Sequence, residues 1–261
     1  MSGTQVLYMG DTALLGAAAY LAGLMTAWGV SFEYVPSDRK LEASQVQAAR
    51  RLFILSDYPA AMLADALAEI IVQQVRDGAG LLMIGGWESY CGKGGDWAGT
   101  KIADALPVEI GRRDDRVNCD QSALAVKAVD HPITRGLPWD DCPPTIGGYN
   151  RIAPRAGTQT LLEVQRFAAR RIGERFTFTP AGRDPLLVVG EHGQGRTAAL
   201  ATDVAPHWVG GMVDWGTGRV QAAAAPGAGI EVGDQYAAFF RQLLSWTGRL
   251  DGAIASVPRT G

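Results

Sequence analysis

The sequence predicts an α/β protein built on a doubly wound, mostly parallel sheet with helices on both faces. Three observations carry this. Short apolar runs alternate with helix-periodic segments through the N-terminal part of the chain. The run LLMIGG, from Leu81, is apolar at every position, as a parallel strand buried on both faces must be. The connections between segments are short, which suits right-handed strand–helix–strand crossovers.

Gln5–Gly10 reads as the first strand and ends at a Gly-Asp turn. Ala13–Trp28 follows as a helix. Ser31–Val35, with Phe32 and Tyr34 alternating, is the second strand, and Leu52–Leu55 the third, ending at Ser56-Asp57. The next segment repeats apolar residues at helical spacing through Leu63, Leu67, Ile70, Ile71 and Val75 until Gly78 stops it. LLMIGG is the fourth strand. Further on, Leu186–Val189 and Thr197–Ala201 read as strands joined by a glycine-rich hairpin, residues 221–234 as a surface loop, and Asp234–Gly248 as an amphipathic helix. No repeat or boundary interrupts the 261 residues, so one domain spanning 1–261 is expected.

Composition narrows the function classes. Hydrophobic residues make up 47% and charged residues 20%, with a net charge of -3, and no Lys/Arg stripe offers a nucleic-acid surface. Ala13–Val30 is uncharged for 18 residues, but no basic residue precedes it and it is rich in Ala and Gly. It reads as a helix buried against the sheet, with no membrane association expected. Cys91, Cys119 and Cys142 form an odd, sparse set, which reads as free thiols in a reducing, cytoplasmic compartment. GKGGD and GQGR lack the spacing of phosphate-binding loops, so no cofactor is expected. Glu88, Asp203 and His207 lack recognisable metal-ligand spacing, so no metal is expected either.

Ligands on such sheets bind at the carboxyl ends of the strands. Those ends gather Asp57, Trp87, Glu88, Ser89, Cys91, Asp203 and His207. A thiol nucleophile needs a lowered pKa, a base and donors for the oxyanion. Cys91 is the candidate thiol, His207 the base and Asp203 its orienting carboxylate, with Glu88 as a water-activating alternative. Cys91, however, follows the tight turn Gly85-Gly86-Trp87 instead of standing on it. A second arrangement uses Trp87, Tyr149, Trp208 and Trp215 as aromatic walls, with Arg151 as an anion anchor. The same aromatics can equally be core residues.

LFILSDYPA, GGWESYCGKGGDWAGTKIADALPVEI, RRDDRV, GGYNRIAP and GEHGQGRTAALATDVAPHW together resemble class I glutamine amidotransferase-like proteins, within their bacterial "putative glutamine amidotransferase" branch. DHPITRGLP is similar to the trehalose-utilisation-type branch. The resemblance runs from about Val6 to Trp246 and implies a flavodoxin-like sheet. Working glutaminases of that superfamily carry a Cys on the elbow and a His-x-Glu after a later strand. Here Gly86 and Trp87 occupy the elbow. His207 matches the His, and Val209 replaces the Glu. Neither glutamine hydrolysis nor ammonia transfer to a synthetase is therefore expected. The expectation is a hydrolase-type enzyme on a small polar, amide-like substrate. The alternative is a non-catalytic ligand-binding or assembly protein on a degenerate scaffold. A homo-oligomer is expected on general grounds.

Overall fold

A computed structural model describes residues 4–250. Strands β1 (Val6–Gly10), β2 (Phe32–Val35), β3 (Leu52–Ser56) and β4 (Gly80–Ile84) alternate with helices α1 (Ala18–Ala27), α2 (Ala43–Gln47) and α3 (Asp65–Arg76). Helix α4 (Lys101–Ala105) and β5 (Val108–Glu109) lead into β6 (Arg116–Lys127), β7 (Thr145–Asn150), β8 (Ala153–Pro154), β9 (Gln159–Ile172), β10 (Arg175–His192) and β11 (Gly195–Leu200). The short helix α5 (Pro206–Val209), strands β12 (Arg219–Ala223) and β13 (Gly229–Gly233), and helix α6 (Asp234–Gly248) complete the chain order.

Nine strands form one sheet in the order β2-β1-β3-β4-β11-β10-β9-β6-β7. The first five run parallel. From β11 to β7 every neighbour is antiparallel. The protein is thus mixed α/β, and the expectation of a mostly parallel sheet is corrected to a parallel half joined to an antiparallel wing. The physical reason lies in burial. β1, β3 and β4 are buried at all five positions each, so their sequences are uninterrupted apolar runs. The wing strands bury residues irregularly and carry many arginines, which hides them from an apolar-run search.

Two local expectations also change. Helix α1 starts at Ala18, not Ala13. It packs against β12 and β13, a hairpin where the sequence suggested a surface loop. A Cβ on its Gly23 would meet Ile230 at 3.2 Å. The hairpin therefore covers the outer side of α1, which explains the long uncharged run without a membrane. Among the described residues no helix is long and apolar enough to cross one. Helix α3 buries Ala68, Ile71, Val72 and Val75, an i, i+3, i+4, i+7 stripe. Ile70, expected inside, is exposed.

Candidate functional site

The strand order reverses at β1: the chain steps to β2 on one side and later to β3 on the other. Such a switch point opens a crevice at the strand carboxyl ends. Asp11 follows β1 there and Asp57 follows β3. Both adopt left-handed backbone, with φ of 50° and 47°. Aspartate is among the few L-residues that tolerate this. The conformation is held by hydrogen bonds. Asp11 N–H donates to Ser56 O at 3.0 Å, and Tyr34 Oη–H donates to Asp11 O at 2.6 Å. Asp57 N–H donates to Ser89 Oγ at 3.0 Å.

β4 ends in Gly85-Gly86 because no side chain fits. A Cβ on Gly85 would lie 2.1 Å from Ala201 O, and one on Gly86 2.1 Å from Asp57 Oδ1. The turn that follows is closed by internal partners. Gly86 N–H donates to Asn150 Oδ1 at 2.9 Å, and Glu88 N–H donates to Asp57 Oδ1 at 2.7 Å. Trp87 N–H also bonds Asp57. Asn150 Nδ2 donates to Asp115 Oδ1 at 2.8 Å, and Asp115 in turn accepts the N–H groups of Cys91 and Gly92 at 2.9 and 3.0 Å. Asn150 and Asp115 thus clamp the elbow from β7 and from the residue before β6.

Asp11, Thr12, Ser37, Asp57, Trp87, Glu88 and Lys93 line an open cleft of about 350 Å³. Trp87 is 42% exposed and forms a flat wall. The Arg116 guanidinium stacks over its indole at 4.5 Å, and the His207 ring lies 6.3 Å from it. Asp203, after β11, is buried against the same cluster, with its Oδ1 accepting Val204 N–H.

The carboxyls depress one another's ionisation. Burial, then the Asp57 charge, raises Asp11 to about 7. Burial raises Asp57 to about 6. The nearby Glu88 charge adds to this, and the two backbone N–H bonds oppose it. Burial raises Asp203, with Asp57 and Asp11 adding to it, and burial raises Glu88. Among the described residues no group of three or more His, Cys, Asp or Glu side chains is arranged to hold a metal ion.

The other sequence candidates fall elsewhere. Cys91 is buried, and burial followed by the Asp115, Asp96 and Asp114 charges pushes its thiol up, away from thiolate. Among the described residues no hydrogen bond joins Cys91 to His207, or His207 to Asp203. Ser89 spends its hydroxyl on Ile84 O at 2.6 Å and on Asp57 N–H, so it braces the turn and does not line the cleft. Trp208 is buried beneath β7, donating from Nε1 to Asn118 Oδ1 at 2.8 Å. Tyr149 bonds Asp184 and, with Arg151, lines a separate pocket of about 240 Å³ on the antiparallel wing. Trp215 is buried as well, donating from Nε1 to Cys142 O at 2.7 Å, so the aromatic-walled arrangement is dispersed: of those four described residues Trp87 lines the cleft.

Sequence reasoning named Asp11 only as a strand end and missed Thr12, Ser37, Lys93, Asn150 and Asp115. For Asp11 a signal existed. Gly10-Asp11 and Ser56-Asp57 both place an Asp one residue past a buried strand. Asn150 and Asp115 act across 64 and 24 residues and carry no local signature.

Residues 53–219 match a family model described as "Putative glutamine amidotransferase". No curated protein matches the chain. Among solved structures the chain is similar to Cytoplasmic Protein STM1381 from Salmonella typhimurium LT2, at 24% identity and a TM-score of 0.70, covering 93% of this chain and 99% of that one. Cytoplasmic Protein STM3548 from Salmonella typhimurium aligns at 22% identity and a TM-score of 0.69, covering 93% and 98%. A thua-like protein from Parabacteroides merdae aligns at 12% identity and a TM-score of 0.58, covering 98% and 92%. These likenesses speak to the fold.

Proposed function

The chain belongs to the "Putative glutamine amidotransferase" family, and from that premise we propose that it is a hydrolase of small polar, amide-like molecules that works through carboxyls instead of a thiol. The observation that carries this is the Asp11–Asp57 pair at the switch point, opening on the cleft with ionisation displaced to about 7 and about 6. Two acids pushed to neighbouring values near neutrality suit an acid and a base working together. Asp57, the more readily ionised, takes a proton from the attacking water. Asp11, the more readily protonated, gives one to the leaving group. Trp87 supplies the apolar wall, while Lys93 and Glu88 select polar substituents at the mouth. Asp203 lies beneath, its own carboxyl held protonated by burial and by the Asp57 and Asp11 charges. Cys91 has no role in this reading, because its surroundings disfavour the thiolate that a nucleophile requires.

The proposal extends to architecture and place. The β2-β1-β3-β4-β11 order, with its reversal at β1, suits a flavodoxin-like, doubly wound unit within a single domain. A cytoplasmic location fits the free thiols and the names of the two Salmonella proteins.

A second reading, ligand binding without turnover, is favoured by the elbow itself. The N–H groups of Gly86, Trp87 and Glu88 are all committed to Asn150 and Asp57, so they are not free to hold an oxyanion. Assay of a panel of amides, esters and cyclic imides decides between the two. Under the first reading the wild type turns over at least one class, Asp57→Asn loses about 10²–10⁴-fold, and Cys91→Ser keeps full activity. Saturable binding by calorimetry without turnover establishes the second. Activity lost in Cys91→Ser and kept in Asp57→Asn overturns the carboxyl mechanism.

A further inference from the structure

β9 pairs with β6 only from Leu162 to Gln165, and β10 pairs with β11 only from Leu187 onward. Between those limits the two strands pair with each other alone, out to Ile172 opposite Arg175. Every residue from Ala168 to Arg183 is exposed. The six consecutive pairs from Phe167–Pro180 to Ile172–Arg175 make a ribbon reaching about 20 Å at ~3.4 Å per pair.

Directly opposed residues share a face. One face of this arm therefore carries Phe167, Ala169, Arg171, Phe176, Phe178 and Pro180. Phe176 is 61% exposed and Phe178 56%. A lone two-stranded ribbon is marginal in water, and adjacent exposed aromatics on it mark a contact surface. The charge is lopsided as well. The arm, residues 166–183, holds five arginines and one glutamate, net +4, while the whole chain is at -3, which leaves -7 on the remainder.

We propose that the arm docks on the acidic body of a second copy of this chain, its Phe167–Phe176–Phe178 face laid against that copy in a reciprocal two-fold dimer. The complementarity is built into one sequence: a basic, apolar arm and an acidic body occur at equal concentration by necessity. A two-fold arrangement uses both arms at once and leaves neither exposed. Arg171, amid the phenylalanines, meets a carboxylate of the partner body.

Sedimentation equilibrium of the full chain tests this, with circular dichroism and melting temperature as folding controls. The wild type is expected at twice 27.7 kDa. Phe176→Ser with Phe178→Ser raises the dissociation constant about 30-fold, the effect of losing a central aromatic anchor. Arg171→Glu weakens the dimer independently should the double variant misfold, and added salt weakens the wild type more than Arg171→Glu. A wild type that stays monomeric at all concentrations overturns the proposal, as does a dimer indifferent to both substitutions. Monomers that instead bind vesicles containing phosphatidylserine reassign the arm to a membrane surface and overturn it equally.

Discussion

Replacing Asp11 with Asn should stabilise the protein at alkaline pH. Asp11 is buried, and its carboxyl is raised from 3.8 to about 7, by burial first and the Asp57 charge second. The folded protein therefore keeps a proton that the unfolded chain releases between about pH 4 and pH 7. Stability is highest below that window, falls as pH rises through it, and carries the full cost of the buried charge above it. A displacement from 3.8 to about 7 corresponds to about 4 kcal/mol at 1.4 kcal/mol per pH unit. Burial of the charge is the larger part of this, and Asn removes the charge while leaving a polar side chain in the site, so on the order of 2 kcal/mol should be recovered. For a chain of this size ~2 kcal/mol is about 4–8 °C in Tm. Scanning calorimetry from pH 4.5 to 8.5 measures it. The wild-type Tm should fall across the window, the Asp11→Asn profile should be flatter, and the variant should melt higher at pH 8. An Asp11→Asn protein that melts lower than the wild type at pH 8, with the same pH slope, refutes the reasoning.

Three further outcomes follow from the same geometry. Gly86→Ala forces a Cβ to within 2.1 Å of Asp57 Oδ1, so turnover or ligand binding should collapse and calorimetry should record a loss of about 1–3 kcal/mol. Asn150→Ala strands the buried Gly86 N–H and removes the amide donor to Gly86 O and Asp115 Oδ1, and urea titration should show a loss of about 1–3 kcal/mol. Iodoacetamide followed by mass spectrometry should label exposed Cys142 first and buried Cys91 last, because burial and three neighbouring carboxylates hold the Cys91 thiol protonated. Rapid, selective labelling of Cys91 would revive the thiol mechanism.

The parallel half of the fold is legible in sequence because strands buried on both faces have no polar positions to confuse the pattern. LFILS and GLLMI stand out for that reason. The antiparallel wing is not legible as a sheet. Its strands β6, β7 and β9 mix small, polar and basic residues, and the RFTFT alternation in β10 belongs to an arm with no core to face. The hairpin over α1 is hidden by AAAAPGAG, which is the composition of a loop. At the site, Asp57, Trp87 and Glu88 are readable because they follow strands at once. Asp11 gains meaning only from the strand order, since pairing of β1 with β3 brings it beside Asp57. Tyr149 and Arg151 sit on the same side of the chain's logic but line another pocket, a separation that no one-dimensional pattern records.

The central claim is that two carboxyls at one cleft share their ionisation near neutrality. Carbon-13 NMR of protein labelled at Asp carboxyls, titrated from pH 3 to 9 and assigned with Asp11→Asn and Asp57→Asn, tests it directly. Two resonances titrating between about 6 and 7, with that of Asp11 shifting to lower pH in Asp57→Asn, are the predicted result. Both carboxyls titrating near 4, each indifferent to the other's replacement, would contradict the account.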